Sequence, residues 1–455
     1  MPPLITHAQR FRTVFALALW PVLENALRWT VEATDTFIAG HQPNALAAAD
    51  AVGVTTYLDW FMGLMQSAIG VGVTALIARG TGARHRGAVR FALGQGLLLG
   101  ALAGAISGVA GMALSYGMGP AFGLSPEASV LAAGYLRVLA FSMPFSGLLA
   151  VACAAMRGAG DTRTPLFIML GLNAVNAACS VLLAGIVLPS GRHIGLGFGV
   201  TGIASGTAIA YTLGGMVSVA VLYSGWTPLR LIWHRLRPHR VTLFRILRVG
   251  LPVVLEFAGM MAANYVLIRI VAKVPEAGAL GAHIIVLRVE SLCFLPGLGI
   301  AAAATTLVGQ SLGRRDPEEA RRLGWLCAAL TVGIMTLLAL PISLFSEPFT
   351  RLFSAEPAHL LLCPACIVVA AVAQPLFALQ LTLGGALRGA GDTRPLAIFN
   401  ALTLILFRLP LAWLLGITFS FGLLGVWTAM MLELGLRGAF ATFRFWGGRW
   451  EKVKI

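Results

Sequence analysis

Twelve apolar runs, each long enough to cross a bilayer and separated by short polar turns, dominate this 455-residue chain. A helix needs about 20 apolar residues to span the hydrocarbon, and a lipid environment admits only helices or closed barrels, because every backbone polar group must be satisfied internally. The runs show no two-residue alternation, so helices are expected. They cover roughly 13–38, 51–78, 91–117, 129–152, 165–188, 196–224, 250–272, 281–312, 323–345, 360–386, 396–419 and 422–445. Hydrophobic residues make up 58% of the chain and charged residues 11%, against about 25% charged in a soluble domain. The chain is therefore expected to be an all-α integral membrane protein, with no removable leader at its start.

The net charge of +15 would suit nucleic acid only if it formed a surface patch, and it does not. Lys and Arg concentrate at the termini and in the loops after even-numbered spans, as in ARGTGARHRGAVR and RLIWHRLRPHRVTLFRILR. Only Arg192, Lys273 and Arg351 fall in loops after odd-numbered spans. The positive-inside rule then puts both termini and every even-numbered exit in the cytoplasm. The expected partner is a lipid bilayer, with no nucleic acid. All six cysteines lie in or beside spans; Cys363 and Cys366 form a CxxC without the second pair that a zinc site needs.

The heptapeptide RGAGDTR occurs at 157–163 and again at 388–394, 231 positions apart. The same shift carries Pro21 to Pro252, Asp59 to Glu290, Thr74 to Thr305, Gly82 to Gly313 and Arg84 to Arg315. Spans 6 and 12 open on FGVTG (198–202) and FGLLG (421–425), a shift of 223. This is a duplicated six-span unit. An even number of spans makes the copies parallel, so two six-helix bundles are expected about a pseudo-twofold axis along the membrane normal. The lobes should cover 1–224 and 250–455, with a basic cytoplasmic linker at 225–249. Each RGAGDTR should close the cytoplasmic end of span 4 or span 10, its glycines making a tight turn and its Asp capping the next helix. Two bundles leave a cleft that rocking can open to either face, as a carrier requires.

With these motifs in place, the chain resembles the multidrug and toxic compound extrusion (MATE) family over nearly its whole length. The resemblance rests on the paired RGAGDTR loops, DTFIAGH at the end of span 1 and GLPVVLE opening span 7. LRVESLCFLPGLGIAAAATTLVGQSLGRRD through span 8 is similar to the branch of the DNA-damage-inducible F proteins. The resemblance implies a monomeric antiporter of the inner membrane, without a cofactor. It would export organic cations and other amphipathic compounds in exchange for inward protons or sodium.

Ionisable side chains within spans cost about 2.5–3.5 kcal/mol to insert and point to function. Glu24, Glu32, Asp35, Asp59, Glu256, Glu290 and Glu433 qualify. Glu24, Arg28, Glu32 and Asp35 follow one another at three- and four-residue steps and form a stripe down span 1, in which Arg28 can neutralise one neighbour. The family resemblance makes Asp35 part of a cation site whose partners lie on spans 5 and 6. In NAVNAACS (173–180), Asn176 takes the family's Asn position, but Ser180 stands where the family has an Asp. Thr207 takes the Thr position. With one carboxylate missing, sodium loses charge and a ligand, whereas a lone carboxyl out of water suits a proton. Proton coupling is favoured, and Glu32 would restore a sodium site if it faced the same cavity; no other metal site is expected.

The second copy has Val266 where the first has Asp35. Its candidates are Glu256, Arg288 and Glu290, as a second ion or substrate site or as structural pairs. Arg288 and Glu290 are two apart and cannot face one another on a helix. Glu433 and Arg437 form an i,i+4 pair. Phe61, Met62, Met65, Met143, Phe145, Met260 and Met261 offer adaptable apolar and cation-binding contacts for a polyspecific cleft. The competing transport reading is a flippase for a lipid-linked precursor, which would need a strongly cationic cavity. An enzyme is not expected, since no HExxH, GxSxG or P-loop motif is present.

Overall fold

The computed structural model describes residues 7–187, 193–232, 236–453 and 455. Arg192, expected in an odd-numbered loop, lies outside them. The first copy contains α1 (His7–Gly40), α2 (Ala45–Gly82), α3 (Arg86–Leu114), α4 (Met118–Phe122), α5 (Pro126–Ala159), α6 (Arg163–Ala184) and α7 (Gly199–Ser224). A two-residue hairpin, β1 (Ile186–Val187) with β2 (His193–Ile194), joins α6 to α7. The second copy runs through α8 (Arg240–Val271), α9 (Ala279–Gly313), α10 (Pro317–Leu344), α11 (Ser346–Phe353), α12 (Pro357–Gly389), α13 (Thr393–Thr403), α14 (Leu409–Trp413) and α15 (Gly422–Trp446). Every expected span coincides with a helix or helix series. Eleven are long and apolar enough to cross a membrane among the described residues; α1, the twelfth, is the helix with the charged stripe.

Span 11 is continuous from Thr393 to Thr418, but π-helical turns at Leu404–Arg408 and Leu414–Thr418 flank α14. Pro410 lies between them and lacks an N–H, which favours such irregular turns. Arg408 ends the first π turn. Within the basic segment 225–249, residues from Arg240 onward already form the opening of α8.

The chain forms two compact units. One comprises residues 23–250 and the other residues up to Val22 with Leu251–Ile455, so the divisions fall inside α1 and α8. In the first unit α5 is central, packing on α2, α3 and α7; in the second, α12 packs on α9, α10 and α15. The core of the first unit includes Ile38, Val52, Tyr135, Leu139 and Ile203. Met62 and Met143, candidate cleft contacts from the sequence, are buried in this core.

Both units repeat one helix contact. Thr74 Oγ1 on α2 donates to the Ala154 carbonyl on α5 at 2.9 Å, and Thr305 Oγ1 on α9 donates to the Gly385 carbonyl on α12 at 2.9 Å. One turn further on, Gly158 and Gly389 lie so close to the backbones of Thr74 and Thr305 that a Cβ at either would clash. Small residues at such crossings let membrane helices approach closely.

Candidate functional site

The two RGAGDTR motifs divide their work residue by residue. Arg157 bridges Glu24 of α1 at 2.7 Å, and Arg388 bridges Glu256 of α8 at 2.9 Å. Each motif thus ties a buried acid, just past a helix proline, to the C-terminal end of its own unit's central helix. Gly158 and Gly389 provide the close helix crossing. Gly160 (φ +95°) and Gly391 (φ +82°) take the left-handed turn that ends α5 and α12, as glycine does most readily. The next residue differs in use. Asp161 accepts from the Thr164 N–H at 3.1 Å and the Thr164 hydroxyl at 2.7 Å, capping α6. Asp392 makes no cap and instead holds Arg444 of α15 at 2.7 and 3.0 Å.

Asp35 lies on α1, 3% exposed, facing α6 and α7. Thr207 Oγ1 on α7 donates to its Oδ2 at 2.9 Å. Asn176 Nδ2 and Ser180 Oγ on α6 approach its Oδ1 at 3.4 and 3.5 Å. Tyr135 Oη on α5 reaches Oδ2 at 3.5 Å. Asn176 Nδ2 also donates to Thr207 Oγ1 at 3.0 Å. The four-residue step from Asn176 to Ser180 puts both on one face of α6, and a side chain on Gly206 would run into Ser180, so that glycine lets α7 seat against them. All four partners are buried and uncharged. The Glu32 side chain lies outside the described residues.

The structure therefore brings Asp35, Asn176, Ser180 and Thr207 together. Sequence reading missed Tyr135, which stands in a mostly apolar run (GYLRVLAF) where Arg137 is the conspicuous polar residue. It also missed the Asp59 partner: Tyr211 Oη on α7 donates to Asp59 Oδ2 at 2.7 Å.

The second unit is wired differently. Glu256 holds Arg388 and accepts from Asn400 Nδ2 at 2.7 Å. Glu433, fully buried, is bridged by Arg408 at 2.7 Å and by Arg437, and accepts from Thr403 Oγ1 at 2.7 Å. Arg437 also donates to the Asn400 carbonyl at 3.3 Å, so two acids and three arginines share one network.

The three second-lobe candidates do not assemble. Glu256 belongs to that network, and Arg288 is exposed because a two-residue step turns it away from Glu290. Glu290 lines a small separate cavity of about 10 Å³ with Gln374 of α12. Its Oε1 and Gln374 Oε1 have no hydrogen-bond partner. No cluster of three or more His, Cys, Asp or Glu suited to a metal occurs among the described residues.

The MatE family model matches residues 22–182 and 252–414, one match in each copy. The chain belongs to the MatE family. It is a multi-pass membrane transporter of the multidrug efflux class rather than an enzyme. It is 32% identical over 457 residues to the probable multidrug resistance protein NorM of Thermotoga maritima, covering 98% of this chain and 94% of the relative. The probable NorM of Bradyrhizobium diazoefficiens is 29% identical, with 96% and 93% covered. These relatives carry the NorM name, not that of the branch which the span 8 stretch resembles. A MOP superfamily transporter from Pyrococcus furiosus superposes with a TM-score of 0.87 at 20% identity, over 97% of both chains. An outward-facing multidrug resistance MATE transporter does so with the same score, identity and coverage. At these identities the superpositions speak for the fold.

Proposed function

We propose that this transporter exports organic cations and other amphipathic small molecules in exchange for inward protons, and that Asp35 carries the proton. The observation behind this reading is the difference in partners among buried acids. Glu24, Glu256, Glu319 and Glu433 each hold an arginine, a counter-charge fixed in place. Among the described residues, Asp35 is held by hydroxyls and an amide alone. Such donors stabilise the anion enough for release of a proton without a fixed counter-charge that would prevent its return.

A sodium reading draws on one observation: Asn176 Oδ1 is buried without a hydrogen-bond partner. Asp35, Asn176 Oδ1, Ser180 Oγ and Thr207 Oγ1 would then hold the ion, which supplies positive charge and nothing more. With Ser180 in place of a second carboxylate, the residues fit a proton better, since sodium prefers several hard oxygen ligands with charge to match.

In this account the protein works as a monomer in the inner membrane, with both termini cytoplasmic. The lobes, residues 1–224 and 250–455 joined by the segment 225–249, rock about a central cleft, and the paired Arg–Glu bridges keep each lobe rigid. Purified protein in liposomes, with a fluorescent organic cation and separately imposed proton and sodium gradients, tests the proposal. Transport driven by protons and lost in Asp35→Asn supports it. Sodium-driven transport moves the coupling to the sodium reading, and absence of gradient-driven transport of any cation overturns drug export in favour of a flippase.

A further inference from the structure

The two copies also share the turn after their second helix, and there their charges diverge. α2 ends at Gly82 and α9 at Gly313, and the turn residues Arg84 (φ +55°) and Arg315 (φ +62°) both adopt the left-handed conformation. The next residue caps the following helix in each copy. His85 accepts from the Ala88 N–H at 3.1 Å, and Asp316, its counterpart, accepts from the Glu319 N–H at 2.9 Å. In the second copy this turn is neutralised from within. Glu319 takes Arg10 at 2.9 Å, Glu318 takes Arg322, and Arg321 is bridged at 2.7 Å by Glu451 from the segment after α15.

In the first copy every one of those acids is gone. The counterparts of Asp316, Glu318 and Glu319 are His85, Gly87 and Ala88. Arg90 corresponds to Arg321, and with the 223 shift of the last helix, Pro228 corresponds to Glu451. The chain has no Asp or Glu between Asp59 and Glu127, nor between Asp161 and Glu256. The result is a cleft of about 550 Å³ whose lining includes Arg84, Arg86, Arg90 and Arg230, with Pro228 at the place of the missing acid. None of the four arginine side chains has a hydrogen bond or ion pair among the described residues, and no lining residue is acidic.

We propose that this cleft binds a phosphate-bearing anion, which supplies the charge that Glu319, Glu318 and Glu451 supply in the other copy. Guanidinium groups suit phosphate oxygens in paired, planar contacts. The cleft's volume lies within the range of small-molecule sites. On the charge distribution the cleft lies at the cytoplasmic membrane border, where an anionic phospholipid headgroup and a free phosphate compound are both at hand. This binding would link α2, α3 and the segment after α7, as the Arg321–Glu451 bridge links α10 to the segment after α15.

The test uses full-length protein in neutral detergent at constant ionic strength, with apparent Tm as the readout. Inorganic pyrophosphate, or phosphatidylglycerol in mixed micelles, is added against chloride and phosphatidylcholine controls. The proposal expects a rise of about 2–4 °C with at least one phosphate probe. That rise is lost in Arg90→Gln with Arg230→Gln and kept in Arg351→Gln, whose own partner is the exposed Glu347. Pro228→Glu, which installs the missing acid, should also lose the response while unfolding no lower than the parent protein. That variant guards against a double substitution that merely fails to fold. A rise with phosphatidylglycerol that pyrophosphate does not reproduce identifies the headgroup; a rise with pyrophosphate identifies a free phosphate compound. No rise with either probe, or an equal rise in Pro228→Glu, overturns the proposal.

Discussion

The two copies keep the same frame and spend their buried charge differently. At matching positions each has the Thr hydroxyl to carbonyl bond, the close glycine, the left-handed glycine and the bridging Arg, whose Glu partner is offset by one residue between the copies. Yet the first copy holds Asp35 with neutral donors, while the second has Val266 at that place and binds Glu256 and Glu433 into an arginine network, with Glu290 set apart from it. Contacts that position helices are alike in the two copies, whereas the groups able to exchange an ion are not. On the proposed function coupling belongs to the first copy, while Glu256 and Glu433 of the second serve as ion-pair partners.

The sharpest way to break this comparison is at the shared bridges. Arg157→Ala and Arg388→Ala each leave a buried glutamate without its counter-charge, so each should cost about 3–5 kcal/mol, read as a lower midpoint of thermal unfolding in detergent. A large loss in one copy and none in the other would show that the motif is not used alike. The Asp residues should then separate the copies. Asp161→Ala removes a helix cap and should cost about 1 kcal/mol. Asp392→Ala strips both hydrogen bonds from the partly buried Arg444 and should cost more, in the same unfolding assay. The smallest effects belong to the repeated hydroxyl bonds: Thr74→Val and Thr305→Val should each cost about 0.6 kcal/mol, equally within error.

The frame was readable in sequence because its signals are local or repetitive. Apolar run length placed every span, and an exact heptapeptide repeat fixed the duplication. The Asp35 partners were readable only through the resemblance, which located Asn176, Ser180 and Thr207. Partners set by tertiary packing left no trace. Nothing in the chain links Glu24 to Arg157, 133 residues away, and the sequence offered Arg28 instead. Arg408 reaches Glu433 from a π turn that periodicity does not reveal. Met62 and Met143 look like adaptable cleft residues by type, but their helix faces turn them into the core. The short α11, with Glu347 and Arg351 paired on its exposed side, was hidden because it is too brief to carry a period of its own.

On the proposed function Asp35 carries the proton that is exchanged for cargo. Infrared difference spectroscopy on protein in liposomes addresses it directly, comparing the spectrum before and after a transported organic cation is added. Cargo should remove a protonated-carboxyl band from the parent protein, and this change should be absent in Asp35→Asn. The same carboxyl change persisting in Asp35→Asn would contradict it, and would place the exchanged proton on another acid.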